Sequence, residues 1–227
     1  MEIKKIGETL ELATERHLKV SINGMVFNIA CTPINVEELI IGFIVTEGIG
    51  KFEDVNKSVN VHISDNLIEV DLPNVSELTL TSSGSISVSK EKVGRVKAGE
   101  KFRIEELQTS LQYLETEEYK RTRGYHIAAV VSKKGLEARA YDIGRHNAVD
   151  KAVGMCVKKG IALNKTFLLL SGRISKGIAM KCVRAGIPLI VSKAAILDSA
   201  IELCKQTGLS AVSFATNIAV MGDALEV

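Results

Sequence analysis

Thr166-Phe167-Leu168-Leu169-Leu170-Ser171-Gly172-Arg173-Ile174-Ser175-Lys176-Gly177-Ile178 is the stretch that decides the fold. A short apolar run of this kind reads as a strand buried on both faces. Ser171-Gly172-Arg173 reads as the turn leaving it, and Ile178, Cys182 and Val183 as the inward stripe of the next helix. Gly186-Ile187-Pro188 stops that helix, and residues 189–191 make another strand. Toward the C-terminus, Ile196, Leu197, Ala200, Ile201 and Cys204 mark a helix closed by Gly208, and 209–214 reads as a last strand. Toward the N-terminus, strands at 127–131 and 136–141 lead to a helix over 146–159 that Gly160 ends. Strands alternating with helices at this spacing predict an α/β fold with a mostly parallel sheet covered by helices. Sites in such folds lie at the carboxyl ends of strands.

The first third mixes strand and helix. Leu18, Val20 and Ile22, then Val26, Phe27 and Ile29, flank Asn23-Gly24, a strong hairpin signal. Asn35 with Glu38 predicts a capping box, and Leu39, Ile40, Phe43 and Ile44 share one face of the helix that Gly48 closes. A second hairpin spans Asp65-Asn66. From Thr81 to Ser89 the chain is rich in serine, and a basic run ending at Arg103 follows. This reads as a mobile loop, with Ile104, Leu107, Leu111 and Leu114 marking a linker helix. The expected division is an N-terminal α+β lobe (1–78), the loop and linker (79–115) and an α/β core (116–227).

Composition excludes several classes. With 227 residues, 46% hydrophobic and 25% charged, the chain is not intrinsically disordered. Lys plus Arg at 29 against Asp plus Glu at 27 leaves +2, too little basic excess for a general nucleic-acid or membrane-surface binder. The longest apolar runs are too short to span a bilayer, and the N-terminal residues lack a signal-peptide pattern. Cys31, Cys156, Cys182 and Cys204 lie far apart with no Cys-x-x-Cys, so neither disulfides nor zinc are expected, and the location expected is the cytoplasm. Cys156, Cys182 and Cys204 fall on inward helix stripes, whereas Cys31 precedes Thr32-Pro33 at a strand end and is expected to be partly exposed.

Two polar clusters stand at strand ends. Asp142-Ile143-Gly144-Arg145-His146-Asn147 opens a helix, where exposed N–H groups favour an anion, Arg145 adds a bidentate donor, and Asp142 is placed to orient His146 or bind a ligand. Ser171, Gly172, Arg173 and Ser175 form the second, which fits phosphate but matches neither the Walker A nor the dinucleotide pattern. Together they predict one anionic, nucleotide-like ligand held by two loops, with Arg145 and Arg173 facing one pocket. His126 reads as a structural histidine.

The segment Asp142 to Lys151 resembles the signature of the formate dehydrogenase accessory (FdhD) family. Thr32-Pro33, Glu38 to Ile49, Arg123 to Ala129, Ser171 to Ser175 and Gly186-Ile187-Pro188 resemble further family motifs in order and spacing. The resemblance implies a cytidine-deaminase-like three-layer core without zinc, and a homodimer. It implies sulfur transfer from a cysteine desulfurase to the molybdenum or tungsten bis(guanine dinucleotide) cofactor destined for formate dehydrogenase, with GDP as a mimic of that ligand. It also implies a cofactor-binding stretch at Phe214-Ala215-Thr216-Asn217-Ile218-Ala219, which here lacks the usual Gly-Arg. Where the family carries a Cys-Gly-x-Cys-Gly loop, this chain has Ser83, Gly84 and Ser87 nearest the cysteine positions. Serine forms no persulfide. The reading is therefore a cofactor-binding accessory protein that carries sulfur poorly or not at all, unless Cys31 substitutes; the alternatives are a sulfurtransferase, as the resemblance implies, and a nucleotide-binding protein of deaminase-like fold.

Overall fold

A computed structural model describes residues 6–7, 10–50, 60–64, 67–72, 78–81, 85–88 and 94–226. Strands β1 (Arg16–Ile22) and β2 (Met25–Cys31) pair antiparallel about Asn23-Gly24, both left-handed at φ 47 and 83°, as a tight two-residue hairpin requires. The Asn23 side chain exchanges two 2.8 Å hydrogen bonds with the backbone of Leu72, anchoring the turn to the strand beside it. Strands β3 (Asn60–Ser64) and β4 (Leu67–Asp71) form the second expected hairpin, whose turn lies outside the described residues. β1 runs parallel to β4, giving a sheet ordered β2-β1-β4-β3.

Helix α1 (Val36–Thr46) follows, but the expected capping box is absent. Asn35 sits in the left-handed region at φ 50° and makes no side-chain cap bond. Glu38 instead meets Lys158 at 2.8 Å, a partner of full charge. The serine-rich segment, expected as a loop, contains an antiparallel pair, β5 (Leu78–Thr81) and β6 (Ser85–Val88). Leu78, Leu80, Ile86 and Val88 alternate with Thr and Ser at a strand period, a signal the polar composition hides. After β7 (Phe102–Arg103), the linker helix appears as α2 (Ile104–Ser110) continued by a 3-10 turn, Leu111–Leu114, and then α3 (Glu117–Thr122).

The main sheet holds β8 (His126–Ser132), β9 (Gly135–Asp142), β10 (Thr166–Leu170), β11 (Leu189–Ser192), β12 (Ser210–Ser213) and β13 (Ile218–Val220), ordered β13-β12-β11-β10-β8-β9. It is mixed, which corrects the mostly parallel sheet expected from the alternation. Only β10-β11-β12 run parallel, and the other pairings are antiparallel. β8 and β9 are joined by Lys133-Lys134 alone, and so short a link permits no parallel crossover. The expected last strand is also not the last. It ends at Ser213, and a four-residue turn leads into β13, with β14 (Leu225–Glu226) pairing β7.

Helices α4 (Arg145–Lys158), α5 (Lys176–Ala185) and α6 (Asp198–Thr207) alternate with these strands. Together with α1 they build one apolar core that also takes in Val20, Ile22, Ile68 and Val70 from the first sheet. Phe102, Leu107, Phe167, Leu169 and Leu225 form a second core on the sheet's other face.

α1 crosses α4 at glycines. A methyl at Gly42 would overlap the Asp150 carbonyl oxygen, and one at Gly154 the Glu38 carbonyl oxygen. The backbones therefore touch, as only small residues allow. Beside this crossing lies a buried ionic network. Lys181 Nζ reaches Glu47 Oε1 at 2.6 Å, Asp150 Oδ1 at 2.8 Å and Thr46 Oγ1 at 3.0 Å, and Arg184 meets Glu47 Oε2 at 3.0 Å. Burial pushes the Asp150 carboxyl up to about 6 against the pull of Lys181, while the two carboxylates hold Lys181 charged, above its ordinary range.

Candidate functional site

The polar clusters meet at one edge of the main sheet. β9 and β10 run in the same direction with antiparallel β8 between them, so their carboxyl ends flank the start of β8. The two strands are therefore not neighbours, and His126 stands in the gap, paired in register with Asp142. Ser171 closes the edge by accepting from Ile127 N–H at 2.8 Å through its hydroxyl and donating its own N–H to Ile127 O at 3.0 Å.

Asp142 does not take the role expected of it. Fully buried, it neither orients His146 nor keeps an oxygen for a ligand. Oδ2 accepts from Lys151 Nζ at 2.6 Å and Thr32 N–H at 3.0 Å, and Oδ1 accepts from Gly144 N–H at 2.8 Å and Asn147 Nδ2 at 3.0 Å. Lys151 also donates to Thr32 O, and Asn147 to Ala30 O, both at 2.8 Å. Asp142, Asn147 and Lys151 thus bind the end of β2 to the start of α4. The acids and amide of the motif are structural because a buried carboxylate needs this many donors.

What faces outward is basic. Arg145 opens α4, and its buried Nε is without a hydrogen-bond partner among the described residues. A methyl on Gly172 would come within 3.3 Å of His126 Nδ1 and 3.4 Å of Arg145 Cδ, and one on Gly177 within 3.3 Å of His146 Nε2. The loop from Gly172 to Gly177 therefore lies against both imidazoles and Arg145, where the first turns of α4 and α5 bring partial positive charge. Burial, then Lys181 and Arg145, pushes His146 down to about 4, and burial with Arg145 lowers His126. Both rings are neutral near pH 7. Ser175 caps α5, accepting from Ile178 N–H at 3.5 Å, and Arg173 is exposed.

A cavity of about 410 Å³ adjoins this edge, lined by Tyr119, Arg123, Tyr125, His126, Ser171 and Lys193 among others. Neither Arg145 nor Arg173 lines it. The stretch Phe214–Ala219 comprises the turn into β13 and the first two residues of that strand. Ala215, Thr216, Asn217, Ile218 and Ala219 are exposed, and Phe214 is half-buried. Thr216 Oγ1 donates to Ser213 Oγ at 2.8 Å, which donates to Ala194 O on the cavity rim, also at 2.8 Å. His126 is the residue that sequence reasoning undervalued. Only the antiparallel insertion of β8 brings it here, and no local pattern signals that.

The expectation for Cys31 is overturned. All four cysteines are buried, Cys31 at 0% exposure, because it ends β2 directly beneath the Asp142 and Lys151 pair. Burial pushes Cys31 and Cys204 up to about 11 and Cys156 up to about 12, and raises Cys182 further. Thiolates are correspondingly scarce at neutral pH. In the native protein a thiol-alkylating reagent should label none of the four within minutes, and after unfolding in urea all four, as read by intact mass. Rapid native labelling of Cys31 would contradict the packing described. Ser87 lies in β6, while Ser83 and Gly84 lie outside the described residues. Among the described residues no group of three or more His, Cys, Asp or Glu is arranged to hold a metal ion, and no helix is long and apolar enough to cross a membrane.

Known proteins resemble this chain in sequence and in fold. The chain is 29% identical over 235 residues to the sulfur carrier protein FdhD of Bacillus subtilis, covering 95% of this chain and 88% of that protein. It is 30% identical to the protein of the same name from Staphylococcus aureus, over 94% and 87% of the two chains. The fold matches a formate dehydrogenase accessory protein from Desulfotalea psychrophila with a TM-score of 0.73 at 22% identity, covering 89% of this chain and 84% of that one. A family model described as FdhD/NarQ matches residues 13–221, and on that span the chain belongs to the FdhD/NarQ family.

Proposed function

We propose that this protein serves formate dehydrogenase maturation by holding a guanine-nucleotide-bearing molybdenum or tungsten cofactor as cargo, without carrying sulfur on a cysteine of its own. The observation that carries the reading is the buried Nε of Arg145, unpartnered among the described residues where the first turns of two helices converge. A phosphate oxygen supplies the missing acceptor and suits the surrounding field. The turn at Phe214–Ala219, tied through Ser213 to the cavity rim, extends the surface for the rest of the nucleotide. The relatives' name, sulfur carrier, points to a persulfide step. The burial of all four thiols argues that this chain contributes binding and handover instead, the sulfur coming from a desulfurase partner. A deaminase-like descent of the core and a homodimeric assembly belong to the same proposal.

Calorimetry with GDP tests it. Binding should weaken by about 1.5–3 kcal/mol on Arg145→Ala, the loss of a charge-assisted hydrogen bond, and by less on Arg173→Ala, whose side chain is exposed. Absence of GDP binding to the wild-type protein would refute the site. A desulfurase-dependent persulfide on any of the four cysteines, found by mass spectrometry, would refute the claim about sulfur.

A further inference from the structure

The two histidines of the site carry a second consequence. His126 comes from the start of β8 and His146 from the first turn of α4, elements that are remote in sequence and meet only at the Gly172–Gly177 loop. No described residue hydrogen-bonds either imidazole. Structural histidines are usually satisfied by a carboxylate or carbonyl, and Asp142, the acid that faces His126, has both oxygens occupied by donors of the chain itself. Arg145 stands between the rings with its own Nε unsatisfied. An unpartnered guanidinium nitrogen and two neutral imidazoles, each with one ring N–H to donate, thus border one glycine loop, a set of donors that suits a dianion.

Resting on the nucleotide reading above, we infer that His126, His146 and Arg145 form a phosphate cradle that takes up a proton as a dianionic phosphate enters. The charged groups facing the rings explain the direction. His126 faces Arg145 and Asp142, and His146 faces Arg145, His126 and, from α5, Lys181. Arg173 and Lys176 add exposed cations on the loop. Burial with Arg145, and for His146 also Lys181, keeps both rings neutral. An arriving phosphate cancels that repulsion and offers an acceptor to a second ring N–H, so an imidazole gains a proton from buffer and becomes imidazolium. No covalent bond changes. Ligand-side titration runs the other way, because a phosphate entering a cationic site loses protons. The sign of the exchange therefore identifies the histidines.

The test is calorimetry of GDP and of inorganic phosphate at about pH 7 in buffers of different ionisation heat, alongside NMR of the histidine ring signals. Expected is an uptake of at least about 0.3 proton per GDP, lost in His126→Gln and His146→Gln, with both rings shifting on ligand addition. GDP binding with proton release, or with none, overturns the cradle and leaves the nucleotide reading standing. No GDP binding, but ring shifts and proton uptake with inorganic phosphate, supports the cradle and overturns the guanine ligand. Binding of neither ligand, with the rings unmoved, overturns both. The wild-type measurement decides even if a variant folds poorly.

Discussion

Lys181→Met should lower the unfolding free energy by about 3–5 kcal/mol near pH 8, the cost of leaving buried carboxylates without their cation. Lys181 is the common partner of Asp150 and Glu47, and both acids are almost wholly buried. Arg184 still reaches Glu47 in the variant, so Asp150 bears most of the loss. The loss should shrink as the pH falls. The Asp150 carboxyl is already raised to about 6 with Lys181 present, against an ordinary 3.8, and rises further without it. A carboxyl whose folded value is raised stabilises the fold below its unfolded value and loses that contribution as pH rises through the folded value. Urea unfolding at about pH 5.5 should therefore show a smaller gap between variant and wild type than at about pH 8, and Asp150→Asn added to Lys181→Met should recover part of the loss. A gap independent of pH would mean that Lys181 acts through packing alone, for instance over the Phe43 ring 5.5 Å away.

Gly42→Ala or Gly154→Ala should cost at least about 3 kcal/mol, at the upper end for overpacking, because the added methyl meets backbone and not a movable side chain. For a chain of this size that is a fall in Tm of roughly 6–12 °C. Gly94→Ala is the matched control. A methyl there meets nothing within 4 Å, and its effect should stay within about 0.5 kcal/mol. If Gly42→Ala melted with the wild type, α1 and α4 would have to separate readily, and the buried network beside them would be looser than its distances imply.

The chain states its helices and strands more openly than their arrangement. Asn23-Gly24, the stripe from Ile178 to Val183, and the stops at Gly160, Gly186 and Gly208 act locally, and each element appears where these residues put it. Strand direction is a different matter. The Lys133-Lys134 link that forces β8 against β9 is too short and too ordinary to stand out beside the regular alternation that follows. The site was legible as a place, the ends of β9 and β10, but not in its division of labour. Asp142 and Arg145 are three residues apart and chemically equal candidates on paper. Only the arrival of Thr32, from far up the chain, occupies the acid, while the half-buried arginine keeps a nitrogen unpartnered among the described residues. Cys31 fails for the same reason, since its exposure depends on what lies above it. The β5-β6 pair was hidden by counting serines where the spacing of Leu and Ile mattered.

The bonds that build the site edge and the buried network beside the helix crossing span long stretches of chain. Thr32 reaches Asp142 across 110 residues, Thr46 reaches Asp150 across 104, and Arg184 reaches Glu47 across 137. Contacts this distant form late in folding, after the loop-closure entropy has been met. During synthesis the N-terminal hairpin and α1 emerge long before α4 and α5 exist to receive them. A ribosome-bound chain thus has no assembled edge. The edge is therefore complete only once the last of these helices has docked, and a chain released before that point lacks it altogether.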